Sequence, residues 1–261
     1  MCSSADDGRP DAARLDGLSA AEVAERLGLP RVLLFASVGS TLDEAHRVAP
    51  DADAGTLLIA DEQTAGRGRH GRRWSSPPGA GLWLTLIERP RDQRALDVLA
   101  LRCGLNAADA LEPLADAPVC VKWPNDLYSA GRKLGGILIE TRWRGTAPDW
   151  VAIGLGLNVR APALETAIGL RAGVRRVDAL ERLVPALRRA ASATHHLSAD
   201  ELARWARRDL SVGRQVDAPA AGTSRGIEPD GQLVVAGADG VLSRHRTGSL
   251  TFVDPHPLAC S

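Results

Sequence analysis

The residues best suited to chemistry lie in the segment Gln63-Thr-Ala-Gly-Arg-Gly-Arg-His-Gly-Arg-Arg-Trp74. Glycines at 66, 68 and 71 let backbone N–H groups approach an anion closely. The arginines between them offer bidentate partners for phosphate. Trp74 can stack on a flat ring. Gly66-x-Gly68-x-x-Gly71 also satisfies the dinucleotide fingerprint, but that fingerprint must run straight into a helix. Here Ser75-Ser-Pro-Pro-Gly79 follows and then a strand, so a dinucleotide fold is set aside. Charge alone would equally suit a solvated basic loop.

The second candidate segment contains both lysines of the chain, Lys122 and Lys133; the other 30 of its 32 basic residues (32 − 2) are arginines. Lysine is a compact point charge and arginine a broad planar fork, so a tight anion site can accept only the former. Lys122-Trp-Pro-Asn-Asp126 reads as a strand end followed by a proline turn, which delivers Asn125 and Asp126 to a ligand. Asn125 can donate and accept at once, and Asp126 can hold a metal ion or a ribose hydroxyl. Lys133 opens the next strand, with Gly135 and Gly136 allowing close approach behind it.

The elements that must carry these groups follow from patterning. Ser19-Ala-Ala-Glu22 is a capping box, so a helix is expected over 19–27. Strands are expected at 32–36, 55–61, 82–87, 119–123, 133–142 and 150–157, with a loop over 62–80. Helices are expected from Ser40 to about Val48, over 93–112, and at about 178–192 and 199–209. After Asp209 the pattern becomes short strands parted by turns such as Pro229-Asp-Gly231 and Ala238-Asp-Gly240, which suits a small all-β unit.

Composition bounds the rest. A chain of 261 residues, 44% hydrophobic, can bury a sizeable core. Zero net charge argues against a basic nucleic-acid-binding surface, and no apolar run is long enough to span a bilayer. Residues 1–12 read as a frayed start. Cys2, Cys103, Cys120 and Cys260 are scattered without C-x-x-C spacing, so neither a disulfide framework nor a zinc site is expected, and a cytoplasmic location fits. His195 and His196 are adjacent, and because neighbours in a helix point in different directions they are poor joint metal ligands.

Taken together, Ser40-Thr41, Gln63, Gly66–Gly71, Arg72-Arg-Trp74, Lys122–Asp126, Arg132–Glu140 and Gly154–Val159 resemble the biotin–protein ligase family in order and spacing. Gly226-Ile-Glu-Pro-Asp-Gly231 resembles part of its small C-terminal barrel. The resemblance implies an α+β fold: a mixed β-sheet with flanking helices, as in class II synthetases, plus a small SH3-like β-barrel. Its boundaries would be a short extension with one helix at 1–30, a catalytic biotin- and ATP-binding domain at 31–209, and the barrel at 210–261. It implies ATP-dependent biotinylation of a carrier lysine by way of biotinyl-5′-AMP, with magnesium. Ser40, Thr41, Gln63, Arg67, Gly68, Arg69 and Lys133 would bind biotin. Arg69, Arg72, Trp74, Asn125, Asp126 and Asn158 would bind ATP or the adenylate. Lys133 and Arg69 would be catalytic, and the glycine–arginine loop would order over the adenylate. The magnesium ligands stay unassigned.

The implied partner is the biotin carboxyl carrier domain of a biotin-dependent carboxylase, with a homodimer left open and no membrane partner. Leu42 stands where many members carry Asn or Gln after Ser-Thr, so a polar contact to biotin is absent there or comes from elsewhere. The short segment before the first strand leads us to expect no DNA-reading helix-turn-helix. A lipoate or octanoate ligase or transferase, or a non-catalytic biotin-adenylate-binding regulator, are the competing readings.

Overall fold

The computed structural model describes residues 13–90, 92–254 and 260, so the start expected to fray, with Cys2, lies outside it. Helix α1 (Ala20–Leu27) begins as expected: the Ser19 hydroxyl accepts from Glu22 N–H, and the Glu22 side chain answers the Ser19 backbone. Seven strands then form one sheet. They are β1 (Val32–Val38), β2 (Thr56–Gln63), β3 (Gly81–Glu88), β4 (Val119–Lys122), β5 (Asp126–Ser129), β6 (Arg132–Arg144) and β7 (Ala147–Asn158). Their order is β1-β2-β3-β7-β6-β5-β4. β1 and β2 run parallel and every other neighbour antiparallel, so the sheet is mixed.

Both faces of this sheet are apolar, because alternate residues of a strand point to opposite sides. Leu57 and Ile59 of β2 join one core, and Leu58 and Ala60 the other. The first core also takes in α1, α4 (Leu99–Leu111) and α5 (Arg176–Ala191). The second is covered in part by α2 (Thr41–Val48), whose Leu42 and Ala45 are buried there. The helix expected over 93–112 is two: α3 (Gln93–Asp97) and α4, bent at Val98 (φ −113°, ψ 7°). Apolar spacing passes through this bend unnoticed, because Val98 is itself buried in the same core as Leu99.

Helix α6 (Ala199–Arg208) is tied to α4 by the buried Arg102, whose Nε donates to Glu201 at 2.5 Å. Arg102 Nη2 also donates to the carbonyls of His195 and His196, each at 3.0 Å, so this histidine pair serves through its backbone. A second, five-stranded antiparallel sheet follows: β8 (Gln215–Ala218), β9 (Gly222–Ile227), β10 (Leu233–Ala236), β11 (Leu242–His245) and β12 (Thr251–Phe252). Its order is β11-β10-β9-β8-β12. The Pro229–Gly231 turn docks it on the first unit. Gly231 has φ 83°, and a Cβ there would sit 2.6 Å from Leu101 of α4. Its carbonyl accepts from the buried Trp123 Nε1 at 3.1 Å.

One expectation is overturned. Cys120 and Cys260 form a disulfide across a sequence separation of 140 residues, with Cα atoms 5.7 Å apart. Spacing rules cannot reveal such a pair: only the packing of the C-terminal segment against β4, with Tyr128, Leu210 and Phe252 around it, brings the cysteines together. The pairing also removes the cysteine-based ground for a cytoplasmic location. Cys103 is the remaining described cysteine; burial pushes its thiol up to about 12. A peptide map without reductant should recover fragments joined through Cys120 and Cys260, while Cys103 alkylates only on unfolding. Cys260→Ser should lower unfolding stability by about 2–4 kcal/mol; equal denaturation midpoints for parent and variant under oxidising conditions would contradict this.

Candidate active site

The uncovered part of the α2 face carries a cleft of about 230 Å³. Its position follows from strand register. Lys122 of β4 lies opposite Asp126 of β5, which lies opposite Gly136 of β6, while Lys133 lies opposite Tyr128. Opposed residues share a face, and so do residues two apart along a strand. Lys133 and Gly136 are three apart and would normally point to opposite sides. The register shift between Leu127 and Tyr128 absorbs the extra residue and puts both on the same side. The hairpin turn Ala130-Gly131, with φ 47° and 72°, is what starts β6 in that register. Lys122, Asp126, Lys133 and Gly136 thus meet on one wall. Asp126, expected in a turn, begins a short strand, because Leu127-Tyr-Ser129 pairs on both sides.

The floor continues across Gly136, Gly154 and Gly156 of β6 and β7, and the absence of side chains at Gly136 and Gly156 makes room for Trp74. A Cβ on Gly156 would lie 2.5 Å from the indole, and one on Gly136 3.3 Å from it. Lys133 Nζ sits 5.2 Å from the centroid of the Trp74 ring and 2.8 Å from Asp126 Oδ1. Leu42 packs over Gly154, where a Cβ would be 3.0 Å from it, so the position that is polar in many relatives by resemblance fills space here.

Beside α2, Ser40, Thr41 and Gln63 form an uncharged polar end of the cleft wall, with the Arg67–Asp43 pair at its rim. Gln63 Oε1 accepts from Thr41 N–H at 2.9 Å and from Thr41 Oγ1 at 3.2 Å, and Gln63 Nε2 donates to Ser76 Oγ at 2.8 Å. Thr85 Oγ1 supports Thr41 Oγ1 at 2.9 Å. Ser40 Oγ and Trp74 Nε1 are buried in the cleft wall with no protein partner. Buried polar atoms are nearly always satisfied, so two orphans in one cleft mark where a polar ligand belongs. The wall around Asp126, the one carboxylate that lines the cleft, is cationic, with Arg69, Arg72, Lys122 and Lys133 near it.

The glycine–arginine loop closes the cleft by a short turn over Arg69–Gly71 and a bridge between Arg67 and Arg73, with no helix after it. Arg69 Nη1 donates to Asn125 Oδ1 at 3.3 Å and to the Gly248 carbonyl at 3.1 Å, so the second sheet helps to hold it. Asn125 is itself fixed: its Nδ2 donates to the Ile137 carbonyl at 2.5 Å, and its carbonyl accepts from Ile137 N–H at 2.9 Å. Arg67 reaches across the rim to Glu140 and Asp43. Burial lowers the Arg69 guanidinium below its ordinary value, Arg72 adds to this, and Asp126 opposes it. Burial likewise lowers Lys122, helped by Lys133 and Arg72 against the pull of Asp126. Lys122 Nζ rests between the rings of Tyr128 and Phe252, 5.5 and 5.4 Å from their centroids.

Of the residues named from sequence, Ser40, Thr41, Gln63, Arg67, Gly68, Arg69, Arg72, Trp74, Asn125, Asp126 and Lys133 all line this cleft. Asn158 does not; it is buried, and its Nδ2 donates to the Lys133 carbonyl at 3.3 Å. Lys122, Gly154, Gly156 and the 249–251 segment line the cleft and had no assigned role. The lysine scarcity already pointed to Lys122, whereas the 249–251 segment carried no signal, because only tertiary docking brings it there.

The donor set suits magnesium that arrives on phosphates. Such an ion takes one or two carboxylates from the protein, and Asp126 could supply one. Among the described residues no group of three His, Cys, Asp or Glu side chains forms a preassembled metal cage.

Residues 34–158 match the biotin/lipoate A/B protein ligase family. The bifunctional ligase/repressor BirA of Escherichia coli is 34% identical over 215 residues, covering 76% of this chain and 67% of that protein. The biotin–[acetyl-CoA-carboxylase] ligase of Mycobacterium tuberculosis is 42% identical over 133 residues, 48% of each chain. In fold, the biotin protein ligase from Aquifex aeolicus in complex with biotin and ATP superposes with a TM-score of 0.67 at 24% identity, covering 85% of this chain and 98% of that one.

Two outcomes follow from the geometry. Gly156→Ala should displace Trp74 and weaken ligand binding by roughly ten-fold or more, since overpacking costs about 1–3 kcal/mol; calorimetric titration would register it, and an unchanged affinity would contradict the packing. A bound polyanion favours the charged form of Lys122. Affinity for a nucleoside triphosphate should therefore be full below the lowered Lys122 value and fall as pH rises through it, on the acid side of the ordinary 10.5. Lys122→Met should remove that step from a pH series of binding measurements.

Proposed function

We infer that the chain, which belongs to the biotin/lipoate A/B protein ligase family, is an ATP-dependent biotin–protein ligase. The observation that carries the reading is that one cleft holds both an uncharged polar end at Ser40, Thr41 and Gln63 and a cationic wall of Arg69, Arg72, Lys122 and Lys133 around Asp126. A substrate with a neutral, hydrogen-bonding head and a terminal carboxylate, condensed with a nucleotide, fits that division. Biotin is such a molecule.

The chemistry follows from charge. The biotin carboxylate and the triphosphate repel each other before they react. One carboxylate oxygen attacks the α-phosphorus, the bond to the β-phosphate bridging oxygen breaks, and pyrophosphate leaves. Lys133 lies between the two anions and neutralises charge on both, while Arg69 and Arg72 take phosphate oxygens. Magnesium held at Asp126 would add charge neutralisation on the phosphates. Ser40, Thr41 and Gln63 hold the ureido head, with the Ser40 hydroxyl supplying the bond it lacks within the protein. Trp74 forms a flat wall, and Asn158 acts from behind by fixing the Lys133 backbone. In the second step a carrier lysine amine attacks the acyl carbon, AMP leaves, and an amide remains. No acyl-enzyme is required, and a closed loop protects the anhydride from water.

The acceptor is a biotin carboxyl carrier domain. The use of ATP places the reaction in the cytoplasm, where the Cys120–Cys260 bond would persist only if shielded from reductants. Incubation with biotin, MgATP and a carrier domain should add one biotinyl group to the carrier by mass, and lipoate in place of biotin should add nothing; a carrier modified only with lipoate would reverse the reading. Lys133→Ala should slow adenylate formation about 10²-fold or more. Lys133→Arg should not restore it, because the wider fork does not fit between Asp126 and Trp74. A near-parental rate for Lys133→Arg in a single-turnover assay would contradict the assigned role.

A further inference from the structure

Glu140 does not line the cleft, yet it stands at the end of the loop's firmest contact. It lies on β6 two residues beyond Leu138 and four beyond Gly136, so it points to the cleft side of the sheet. Its carboxylate receives both arms of one guanidinium: Arg67 Nη2 to Oε1 at 2.5 Å and Arg67 Nη1 to Oε2 at 3.3 Å. The same Arg67 Nη1 reaches Asp43 Oδ1 of α2 at 2.7 Å. Glu140 is fixed in turn by His46 Nε2 of α2, 2.6 Å from Oε2, and His46 packs edge-on against Trp150 with ring centroids 4.9 Å apart. The Glu140 side chain is only 23% exposed, less than the 38% of Arg67 or the 50% of Asp43, so it is the best shielded member of the group.

These contacts leave Arg67 with little capacity for a ligand. Its fork is already bidentate on one carboxylate and shared with a second. The loop has a second anchor on the far side of the cleft, where Arg69 meets Asn125 and the Gly248 carbonyl. Arg69 is also exposed to whatever anion occupies the cleft, so that anchor must rearrange during turnover, whereas the Glu140 anchor need not. Glu140, Asp43 and His46 make a fixed post, and Arg67 is the loop's hold on it.

We propose that Glu140 is a positioning residue that keeps the Gly66–Trp74 loop closed through Arg67, and so governs how long the acyl-adenylate is retained before a carrier lysine reaches it. This deepens the ligase reading and rests on it. It assigns the retention of the reactive intermediate to an ion pair at the cleft rim, separate from the cations that make the intermediate.

The test compares the parent chain with Glu140→Gln in two ways. First, limited trypsin digestion without ligand should cut at Arg69, Arg72 or Arg73 roughly ten-fold faster in the variant, the order expected when one charge-assisted pair is lost. The thermal midpoint should stay close to the parent's. Second, after a single turnover without carrier, hydroxylamine should trap released biotinyl-adenylate roughly ten-fold faster in the variant, while the rate of adenylate synthesis falls far less. A merely structural role would lower synthesis and retention together. Parental cleavage and parental release in Glu140→Gln would overturn the proposal. If the parent itself makes no adenylate, the ligase reading fails, and the digestion still decides whether the latch exists. Should Glu140→Gln fail to fold, Arg67→Gln removes the other half of the pair and must give the same faster cleavage.

Discussion

Crowded cations on one sheet face are the constraint on which this site depends. Lys122, Lys133, Arg69 and Arg72 repel one another, and two of them are also lowered from their ordinary values by burial. Like charges do not gather in a half-buried place without support. Here the support is covalent geometry and register: the hairpin at Ala130-Gly131 and the shift at Leu127/Tyr128 leave Lys133 nowhere else to point. Asp126 relieves part of the repulsion, and the faces of Trp74, Tyr128 and Phe252 relieve more. What remains is a field that a carboxylate and a polyphosphate satisfy together. The fold thus holds in advance the charge that stabilises the reaction, so little reorganisation is needed when the reactants meet.

The rest of the molecule serves that wall. Glycines at 136 and 156 sink the floor so that an indole can lie on it, and Gly154 makes room for Leu42. Helix α2 ends the covered part of the face and brings Ser40 and Thr41 to the uncharged end. The second sheet supplies the Gly248 carbonyl for Arg69 and the Phe252 ring for Lys122, so it completes the site as well as following it in sequence. A loop rich in glycine can fold over such a cleft only if something fastens it, and its own arginines do so at both rims.

Much of this could be read from the chain before any coordinates. The strand pattern, the capping box at Ser19 and the turn glycines are local signals, and local signals survive translation into structure. The motifs around Gly66, Lys122 and Lys133 showed which chemistry the chain could do, and eleven of the named residues meet in one cleft. What escaped was long-range. β5 was hidden by the turn chemistry of Pro124-Asn-Asp126, although Leu127 and Tyr128 pair on both sides. The Cys120–Cys260 bond closes a span of 140 residues, more than half of the chain, so no spacing betrays it. The Arg67 side chain is held by Glu140 and Asp43, 73 and 24 positions away, partners that no local signal reveals. The Asn158 side chain braces the Lys133 backbone, a contact that only the pairing of β6 with β7 creates.

The central claim is that this cleft joins a carboxylate to the α-phosphate of ATP before any carrier arrives. Exchange of labelled pyrophosphate into ATP tests it most directly, because exchange reports reversible adenylate formation and needs no acceptor lysine. The account predicts exchange that depends on both biotin and magnesium, proceeds without carrier, and is lost with Lys133→Ala. Exchange that is absent without carrier, or that proceeds equally well in the absence of biotin, would contradict it.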